Sequence, residues 1–219
     1  MKGIDHCKEI IFGGENLILS PLLAAFWPAQ KMLILADLHL GKSAYFRKNG
    51  IAVPSTVMID DLKRLLLLIQ EFNAETILVA GDMFHHNYNA DISIFKKWRS
   101  ENDLIKILLV PGNHDKLLEI NYRDLNITLT AGRHFINPFF FEHETKNISN
   151  ENLHISGHIH PGYLMEGKAR QSLRLPCFIQ TEQQLILPAF SSFTGLHTKH
   201  EAMAPGTFYV VGGEQIFCV

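Results

Sequence analysis

Three mostly apolar runs divide the first half of the chain. They cover residues 31–36, 76–80 and 105–110. Runs of this length without regular polar alternation are typical of strands that are buried on both faces of a sheet. Residues 9–29, which come before them, predict shorter strands joined by glycine and proline turns. The pattern therefore predicts a largely buried sheet in the first half of the chain.

Two amphipathic stretches separate these runs. The first opens at Pro54-Ser55-Thr56, and its apolar positions recur with the i, i+3 and i+4 spacing of a helix. These positions are Met58, Leu62, Leu65, Ile69 and Phe72. We expect Asp91 to cap a second, shorter helix that carries Ile94, Phe95 and Trp98. The order strand, helix, strand, helix, strand favours an α/β architecture.

The second half of the chain has a different pattern, with strand-like segments and little helix between them. These segments are residues 126–130, 134–141, 153–156, 174–180 and 184–187. Residues 207–211 and 215–219 flank Gly212-Gly213, which predicts a closing hairpin. We therefore expect an α/β first half, an α+β second half, and a single domain with two sheets over residues 1–219.

Composition limits the classes of function. The chain has 219 residues, of which 47% are hydrophobic and 19% charged, as in an ordinary globular protein. Its net charge of −2 provides no general basic field of the kind that drives non-specific binding to nucleic acid. Three widely separated cysteines indicate neither a disulfide framework nor a thiolate zinc site. No signal peptide or membrane-spanning segment is predicted, so we expect a cytoplasmic protein.

Residues with useful chemistry are concentrated directly after the predicted strands. In chain order the clusters are Asp37-x-His39, Gly81-Asp82, Gly112-Asn113-His114-Asp115, the lone His143, and Gly157-His158-Ile159-His160. Each of the first two is by itself a common turn sequence, whereas four specified residues such as GNHD rarely coincide by chance. Open α/β sheets bind their ligands at the carboxyl ends of strands. The series therefore predicts one common site at that edge.

Carboxylate, amide and imidazole side chains in one site indicate metal binding. Two divalent ions about 3.5–4 Å apart can hold a phosphoryl group together with the hydroxide that attacks it. Such a pair of ions needs a shared anionic ligand, and Asp82 is the natural bridge. The mixed ligands suit Mn²⁺, with iron or zinc as alternatives, and do not indicate a site for Mg²⁺ alone.

The series DxH, GD, GNHD, a lone His and GHxH resembles that of the calcineurin-like metallophosphoesterase superfamily. The resemblance implies a four-layer αββα sandwich of two mixed sheets that binds two divalent ions. It implies that Asp37, His39, Asp82 and His160 hold the first ion, and that Asp82, Asn113, His143 and His158 hold the second. It also implies that a metal-bound hydroxide attacks phosphorus, that His114 protonates the leaving oxygen, and that Asp115 orients the ring of His114.

The assignment of His143 depends on its placement, because a single histidine has no motif of its own. His134 and His154 compete for the same role. His154 is too close to the GHIH motif to come from a separate strand, and we expect it on the opposite face of that strand. His134 starts the phenylalanine-rich strand, whereas His143 follows its carboxyl end, which favours His143.

Longer matches narrow the resemblance to the ligase-associated DNA damage response metallophosphoesterases. They are ADLHLGK at 36–42, GDxFH at 81–85, GHIHP at 157–161 and LPAFSSFTG at 187–195. This resemblance implies a phosphodiesterase that acts on DNA in a bacterial repair system, together with an ATP-dependent DNA ligase and a helicase. Lys42, Arg47 and His85 are candidate substrate contacts, although a solvated helix face explains the two basic residues equally well.

Two other functions stay open beside the leading hypothesis of a two-metal phosphodiesterase or endonuclease. A hydrolase of small phosphate compounds, such as cyclic nucleotides, nucleotides or UDP-sugars, belongs to the same superfamily and suits the slightly acidic net charge. A catalytically silent scaffold would be expected to lack a ligand or the histidine of GNHD, and none of these residues is missing here. No membrane partner is expected for any of them.

Overall fold

Two mixed β-sheets form the frame of the computed structural model, which describes residues 6–54, 56–85, 89–144, 152–167, 171–199 and 205–219. Sheet 1 contains β1 (Lys8–Phe12), β2 (Glu15–Ser20), β3 (Ala24–Trp27), β4 (Met32–Leu35), β5 (Thr76–Ala80), β6 (Lys106–Val110) and β7 (Ile127–Leu129), side by side in chain order. The strands β1 to β4 pair antiparallel, and β4 to β7 pair parallel. The carboxyl ends of β4, β5 and β6 therefore lie at one edge of sheet 1.

Sheet 2 is built from the second half of the chain. Its strands are β8 (Arg133–Ile136), β9 (Phe139–Glu142), β10 (Leu153–Ser156), β11 (Gly162–Glu166), β12 (Ser172–Gln180), β13 (Gln184–Ile186), β14 (Thr207–Gly212) and β15 (Gln215–Cys218). They lie in the order β15-β14-β12-β13-β10-β9-β8, and β11 pairs with β12. The strands β9 and β13 both pair parallel to β10, so the carboxyl ends of β9 and β10 also lie together.

Four α-helices accompany the sheets in the described part of the chain. They are α1 (Lys42–Lys48), α2 (Val57–Phe72), α3 (Ala90–Glu101) and α4 (Glu119–Asp124). Apolar residues of α2, α3 and α4 share one hydrophobic core with one face of sheet 1. None of the helices that the structure describes is long and apolar enough to cross a bilayer.

The apolar runs of sheet 1 are explained by the packing of both its faces. In β4, Leu33 and Leu35 belong to the core shared with the helices. Ile34, and Ala36 directly after the strand, belong to a second core between the two sheets. Because successive side chains of a strand point to opposite faces, every position of such a strand is buried. This confirms the prediction of strands that are covered on both sides.

The predicted fold class of two mixed sheets with helices is confirmed, and three details differ. Residues 42–48 form α1, a helix that the hydrophobic pattern does not predict. The single strand expected at 134–141 is two strands, β8 and β9, separated by a turn at Asn137 and Pro138. No α-helix follows α4 in the described ranges, so the layers seen there are α, β and β. Within those ranges the outer face of sheet 2 packs side chains such as Ile159 and Tyr163.

The start of α3 also differs from the prediction. Its N-cap is Asn89, whose side-chain oxygen accepts a hydrogen bond from the backbone N–H of Asp91 at 3.0 Å. The Asp91 carboxylate is buried and instead accepts hydrogen bonds from the backbone N–H of Ala44, at 2.8 Å, and from Arg47, at 3.0 Å. It therefore joins α1 to α3.

At the predicted start of α2, Ser55 lies outside the described residues, and Thr56 is the N-cap.

Candidate metal centre

Five loops at the carboxyl ends of strands bring the predicted ligands together. Three of them follow β4, β5 and β6 of sheet 1, and two follow β9 and β10 of sheet 2. The two sets of loops are in contact, because the carboxylate of Asp37 accepts a hydrogen bond from the backbone N–H of His158 at 2.9 Å. The candidate site therefore lies where the edges of the two sheets meet.

One group of potential ligands consists of Asp37, His39 and His160, whose ligand atoms all lie within 4.8 Å of one another. Nε2 of His160 is 3.3 Å from Oδ1 of Asp37 and 3.3 Å from Nε2 of His39. Asp37 and His39 are buried, and His160 is partly exposed. The group thus contains three of the four residues predicted for the first ion, and the fourth, Asp82, lies in the neighbouring group.

A second group consists of Asp37, Asp82 and His143. Nε2 of His143 is 3.5 Å from Oδ2 of Asp82, 3.0 Å from Oδ1 of Asn113 and 2.8 Å from Nδ1 of His158. The structure therefore brings together all four residues predicted for the second ion. Asp37 is common to both groups, whereas we expected Asp82 to be shared. Bridging by Asp82 stays a prediction.

The polar atoms of the second group fit a cation. Nδ1 of His143 lies 3.3 Å from the carbonyl oxygen of Ala80, which can only accept and so favours the tautomer with the proton on this nitrogen. Nε2 then has a lone pair, which faces oxygen atoms of Asp82 and Asn113. Lone pairs that face one another repel, whereas each of them becomes a ligand when a divalent ion lies between them.

The first group fits a cation as well. Oδ1 of Asp37 and Nδ1 of His39 are buried and have no hydrogen-bond partner among the described residues. Burial, with smaller contributions from the charge of Lys42 and from neighbouring histidines, lowers the pKa of His39 to about 2. The ring of His39 is therefore neutral, which is the form that binds a metal ion.

Backbone strain is concentrated in the ligand loops. In the described chain nine residues other than glycine have a positive φ, and five of these are predicted ligands: Asp37, His39, Asp82, His158 and His160. Their φ angles lie between 48° and 75°, a region that costs a residue with a side chain about 1–2 kcal/mol. Such strain persists where the surrounding structure over-determines a residue, and it is typical of functional sites.

Two motif glycines are explained by the close approach of ligands. A Cβ atom at Gly81 would lie 2.1 Å from Nδ1 of His143, and one at Gly112 would lie 2.2 Å from Oδ1 of Asp82. Real Cβ atoms do not come this close to other heavy atoms. Any larger residue at either position would displace a ligand, so the glycines of GD and GNHD are part of the cradle.

His114 lies at the open side of the second group. Its Nε2 is 4.0 Å from Oδ2 of Asp82, and its side chain is 31% exposed. Its backbone N–H donates to Oδ1 of Asp82 at 2.9 Å, so the same carboxylate fixes the GNHD loop. The ring is therefore placed between the predicted ligands and solvent, where a substrate can reach it.

Asp115 binds the backbone of two ligand loops. Its carboxylate accepts hydrogen bonds from the backbone N–H groups of Phe84 at 2.8 Å, Gly112 at 2.9 Å and Met83 at 3.4 Å. Burial raises its pKa to about 6, against the opposing effect of these hydrogen bonds. Its hydrogen bonds within the described chain are with backbone and not with the ring of His114. Asp115 thus holds the GNHD loop to the loop after β5, and its orienting of the His114 ring stays a prediction.

The three candidate substrate contacts are placed differently from one another. His85 is buried and stacks on His114, with ring centroids 4.9 Å apart. Lys42 is half-buried; burial lowers its pKa, and the nearby charges of Asp37 and Asp82 oppose that effect. Arg47 forms an ion pair with Asp91 on α3 at 3.0 Å, so its guanidinium is engaged in joining two helices.

The two histidines that competed with His143 lie outside both groups. His134 is on β8, and His154 is on β10, where it is buried and bonded to Glu142. His154 stacks on Phe140 and so faces away from the core between the sheets, as expected. The structure thus places His143 among the candidate ligands and neither of its competitors.

Comparison with known families decides the assignment of the chain. Residues 30–163 match the sequence model of the calcineurin-like phosphoesterases, which is more than half of the chain. The chain belongs to that family. The expected superfamily is confirmed, and the protein is a metal-dependent phosphoesterase. The family uses divalent metal ions, for which the two groups supply candidate ligands.

Among the solved structures that resemble this phosphoesterase, a nuclease matches it along almost its whole length. The nuclease MPE of Pseudomonas putida matches 97% of this chain and 100% of its own, with 29% sequence identity and a TM-score of 0.82. This likeness supports the narrower family resemblance that the sequence indicates. A comparison with curated proteins finds no match.

Two further solved structures match the phosphoesterase less well. A protein of unknown function from Aquifex aeolicus, AQ665, shares 20% identity over 59% of this chain and 78% of its own, with a TM-score of 0.44. The phosphoesterase Yfce of E. coli shares 13% identity over 86% of this chain and 97% of its own, with a TM-score of 0.43. Scores this low support no conclusion about fold or function.

The segment 187–195 supports the centre through its backbone. The N–H of Phe190 donates to the carbonyl of Ala36 at 2.8 Å, and that of Ser191 donates to the carbonyl of Asp37 at 3.1 Å. These bonds hold the strained turn that carries the ligands after β4. The sequence singled out this segment only by family resemblance, without this role.

Two residues of α2 that the sequence analysis missed anchor the same segment. Arg64 donates to Oδ1 of Asp61 at 2.9 Å and also to the carbonyl of Phe190. Asp61 in turn accepts the backbone N–H of Ser192 at 3.3 Å. The signal was present in the pattern, because Asp61 follows Met58 by three residues and therefore lies on a buried face of the helix.

Proposed function

We propose that this phosphoesterase is a two-metal phosphodiesterase or endonuclease that hydrolyses phosphodiester bonds in DNA. The observation that carries the proposal is the pair of adjoining ligand groups joined by Asp37. Two neighbouring divalent ions are the usual device for in-line displacement at a phosphodiester. The nucleic-acid substrate is supported by the likeness to the nuclease MPE of Pseudomonas putida along the whole chain.

The ligand residues fall into two sets in this proposal. Asp37, His39 and His160, with Asp82, would hold one ion, and Asp82, Asn113, His143 and His158 would hold the other. When bound, the ions stabilise the charge on the phosphoryl oxygens and lower the pKa of a water molecule. Carboxylate, amide and imidazole donors suit Mn²⁺, with iron or zinc as alternatives.

The remaining chemistry falls to residues of the GNHD loop. His114, at the open side of the second group, protonates the leaving alkoxide, which otherwise departs poorly. Asp82 and Asp115 hold the backbone of this loop through the hydrogen bonds described above. The stacked ring of His85 restricts the orientation of the His114 ring. Phosphoryl transfer depends mainly on such positioning and on charge stabilisation.

Two variants test the reaction. The purified protein with Mn²⁺ is expected to hydrolyse bis-p-nitrophenyl phosphate, and Asp82→Asn is expected to abolish turnover because it removes an anionic ligand. His114→Ala is expected to lower kcat about 100-fold or more on DNA. It should lower kcat less on the p-nitrophenyl ester, because p-nitrophenolate leaves readily without a proton. His134→Ala is the matched control, since His134 lies on β8 outside both groups.

Two results would contradict the assignment of the reaction. One is the absence of turnover in the manganese-loaded wild type. The other is unchanged turnover in Asp82→Asn and His114→Ala.

A small-molecule phosphohydrolase is the second candidate function. The observation that favours it is the net charge of −2, which provides no general attraction for a polyanion. Nicked, single-stranded and duplex DNA should therefore be assayed beside cyclic nucleotides and UDP-sugars. Cleavage of DNA is expected; hydrolysis of the small compounds with every DNA form left intact would replace the first proposal by the second.

The wider role is proposed on the family resemblance alone. We propose that the enzyme acts in DNA repair in the cytoplasm, together with an ATP-dependent DNA ligase and a helicase. The phosphodiesterase reaction suits such a role, because processing of strand ends or strand interruptions precedes ligation. Co-purification of the three proteins from cell extract is expected, and its absence, together with normal repair in a deletion strain, would contradict the role.

A further inference from the structure

Three aromatic side chains stand together beside the candidate metal centre. Tyr45 and Phe46 belong to α1, and Phe193 belongs to the segment 187–195. The ring centroids of Phe46 and Phe193 are 5.5 Å apart, and those of Tyr45 and Phe46 are 6.0 Å apart. We call these three residues the aromatic wall.

The aromatic wall is continuous with the catalytic histidine. The ring of His85 is 5.2 Å from that of Tyr45 and 6.4 Å from that of Phe46. His85 also stacks on His114, with ring centroids 4.9 Å apart. The ring of His85 therefore contacts both the wall and His114, which meets the substrate phosphate in the proposed reaction. A group covalently attached to that phosphate can reach the wall.

The exposure of the wall distinguishes it from the hydrophobic core. Tyr45 is 41% exposed, and Phe46 and Phe193 are half-buried. Phe84 and Phe190, which neighbour the same loops in sequence, are completely buried. A core needs no exposed rings, whereas a stacking surface for a planar ligand does.

The position of Phe193 is fixed by hydrogen bonds of its own segment. Its backbone N–H donates to Oγ of Ser191 at 3.2 Å, and the hydroxyl of Thr194 donates to the carbonyl of Ser191 at 3.2 Å. The preceding residue, Ser192, is bonded to the buried carboxylate of Asp61 on α2. Because the wall is held in place before a ligand arrives, little conformational entropy is lost when a ring stacks on it.

Charge points to the kind of ligand. Nζ of Lys42 lies 5.8 Å from the centroid of the Phe193 ring. The charges of Asp37 and Asp82 act on Lys42, so its ammonium group lies near the centre as well as near the wall. A cation in that position suits a phosphate that neighbours the reacting one. The net charge of −2 leaves affinity for a nucleic acid to local contacts of this kind.

We propose that the aromatic wall is a nucleobase subsite, in which a base next to the scissile phosphate stacks on Tyr45 and Phe193 while Lys42 binds the flanking phosphate. The subsite rests on the proposed phosphodiesterase function and adds a structural reason for choosing a nucleotide substrate. It also explains how a protein without a general basic field holds a nucleic-acid strand, since every base offers a π-face irrespective of sequence.

Competition with a small substrate tests the subsite without requiring DNA cleavage. The inhibition constants of a thymidylate hexamer and of an abasic hexamer with the same phosphates are measured against manganese-dependent hydrolysis of bis-p-nitrophenyl phosphate. The wild type is expected to bind the thymidylate hexamer about tenfold or more tightly than the abasic one. Phe193→Leu and Tyr45→Leu are expected to reduce this ratio towards one, because they keep apolar bulk and remove the π-face.

Matched variants keep the test specific. Phe193→Trp and Tyr45→Phe preserve an aromatic face and are expected to retain the preference for the thymidylate hexamer. Phe217→Leu changes an exposed phenylalanine on β15 of sheet 2 and is expected to behave like the wild type. Because each ratio is measured within one variant, a general loss of activity cancels. If one leucine variant fails to fold, the ratio of inhibition constants in the other leucine variant tests the subsite.

The outcomes separate the subsite from the proposed function. Equal inhibition by the two hexamers in the wild type, or an unchanged ratio in both leucine variants, overturns the subsite and leaves the phosphodiesterase standing. A preserved ratio without cleavage of any DNA supports the subsite and overturns the nuclease. No hydrolysis of bis-p-nitrophenyl phosphate by the wild type overturns both.

Discussion

At the scale of single residues, Gly81 occupies a point where two ligand loops approach each other closely. Its φ of +87° and the proximity of the His143 ring both exclude a side chain. We expect Gly81→Ala to lower kcat about 100-fold, because a displacement of about 1 Å in a catalytic site has an effect of that size. Hydrolysis of bis-p-nitrophenyl phosphate with Mn²⁺ measures the effect.

Gly14 provides the matched control for Gly81. Its φ of +81° is almost the same, but nothing lies within 4 Å of a Cβ atom placed there. Gly14→Ala is expected to lower the free energy of unfolding by about 1 kcal/mol through the backbone alone and to keep full activity. Equal loss of activity in both variants would show that backbone strain, and not the position of His143, explains why residue 81 is a glycine.

The sequence predicts residue types better than residue geometry. The motifs brought Asp37, His39 and Asp82 to attention because carboxylates and imidazoles after buried strands are chemically informative. Their left-handed backbone could not be predicted, because it depends on contacts between loops that are distant in the chain. The hydrogen bonds of Asp115 to a different loop were missed for the same reason.

At the scale of secondary-structure elements, α1 depends on its junction with α3. The buried Asp91 carboxylate accepts one backbone and one guanidinium hydrogen bond from α1. We expect Asp91→Asn to lower the free energy of unfolding by about 2 kcal/mol, because the amide cannot serve as a charged acceptor for Arg47. Chemical denaturation monitored by circular dichroism measures the change.

The exposed pair of Glu119 and Arg123 on α4 is the control for that prediction. Both side chains are about 70% exposed, so the charges are screened by solvent. Glu119→Gln should leave the denaturation midpoint unchanged within error. A similar loss of stability in both variants would mean that burial of the junction does not matter.

Elements with a strong internal pattern were predicted well, and elements defined by their partners were not. The periodicity of α2 and the apolar run of β5 specify those elements without reference to the rest of the chain. The seven-residue α1 has no such periodicity and is stabilised by Asp91 of α3. The pairing of β11 with β12 likewise depends on a neighbouring strand, and the hydrophobic pattern does not predict it.

At the scale of the whole molecule, the candidate centre joins the two sheets. Asp37, His39, Asp82 and Asn113 come from sheet 1, and His143, His158 and His160 come from sheet 2. A site built from both sets of ligands exists only in the native state. An ion that binds there therefore shifts the folding equilibrium towards that state.

We therefore expect Mn²⁺ to raise the melting temperature. At a free concentration about 100 times the dissociation constant, the stabilisation is about 2.7 kcal/mol. For a chain of this size that corresponds to a rise of about 5–10 °C. Differential scanning calorimetry in EDTA and in Mn²⁺ measures the shift. Asp37→Asn, which alters both groups, should melt at the same temperature in either solution, and an unresponsive wild type would contradict the centre.

The strained ligand loops have a consequence for the history of such proteins. Glycine at positions such as His158 or His160 would relieve an unfavourable backbone, so selection for folding alone acts against the residues found there. Only the requirement for activity opposes the replacement of these histidines by glycine. A lineage that no longer needs the reaction is therefore expected to lose its ligand loops early, while Leu33, Ile34 and the rest of the sheet interior persist unchanged.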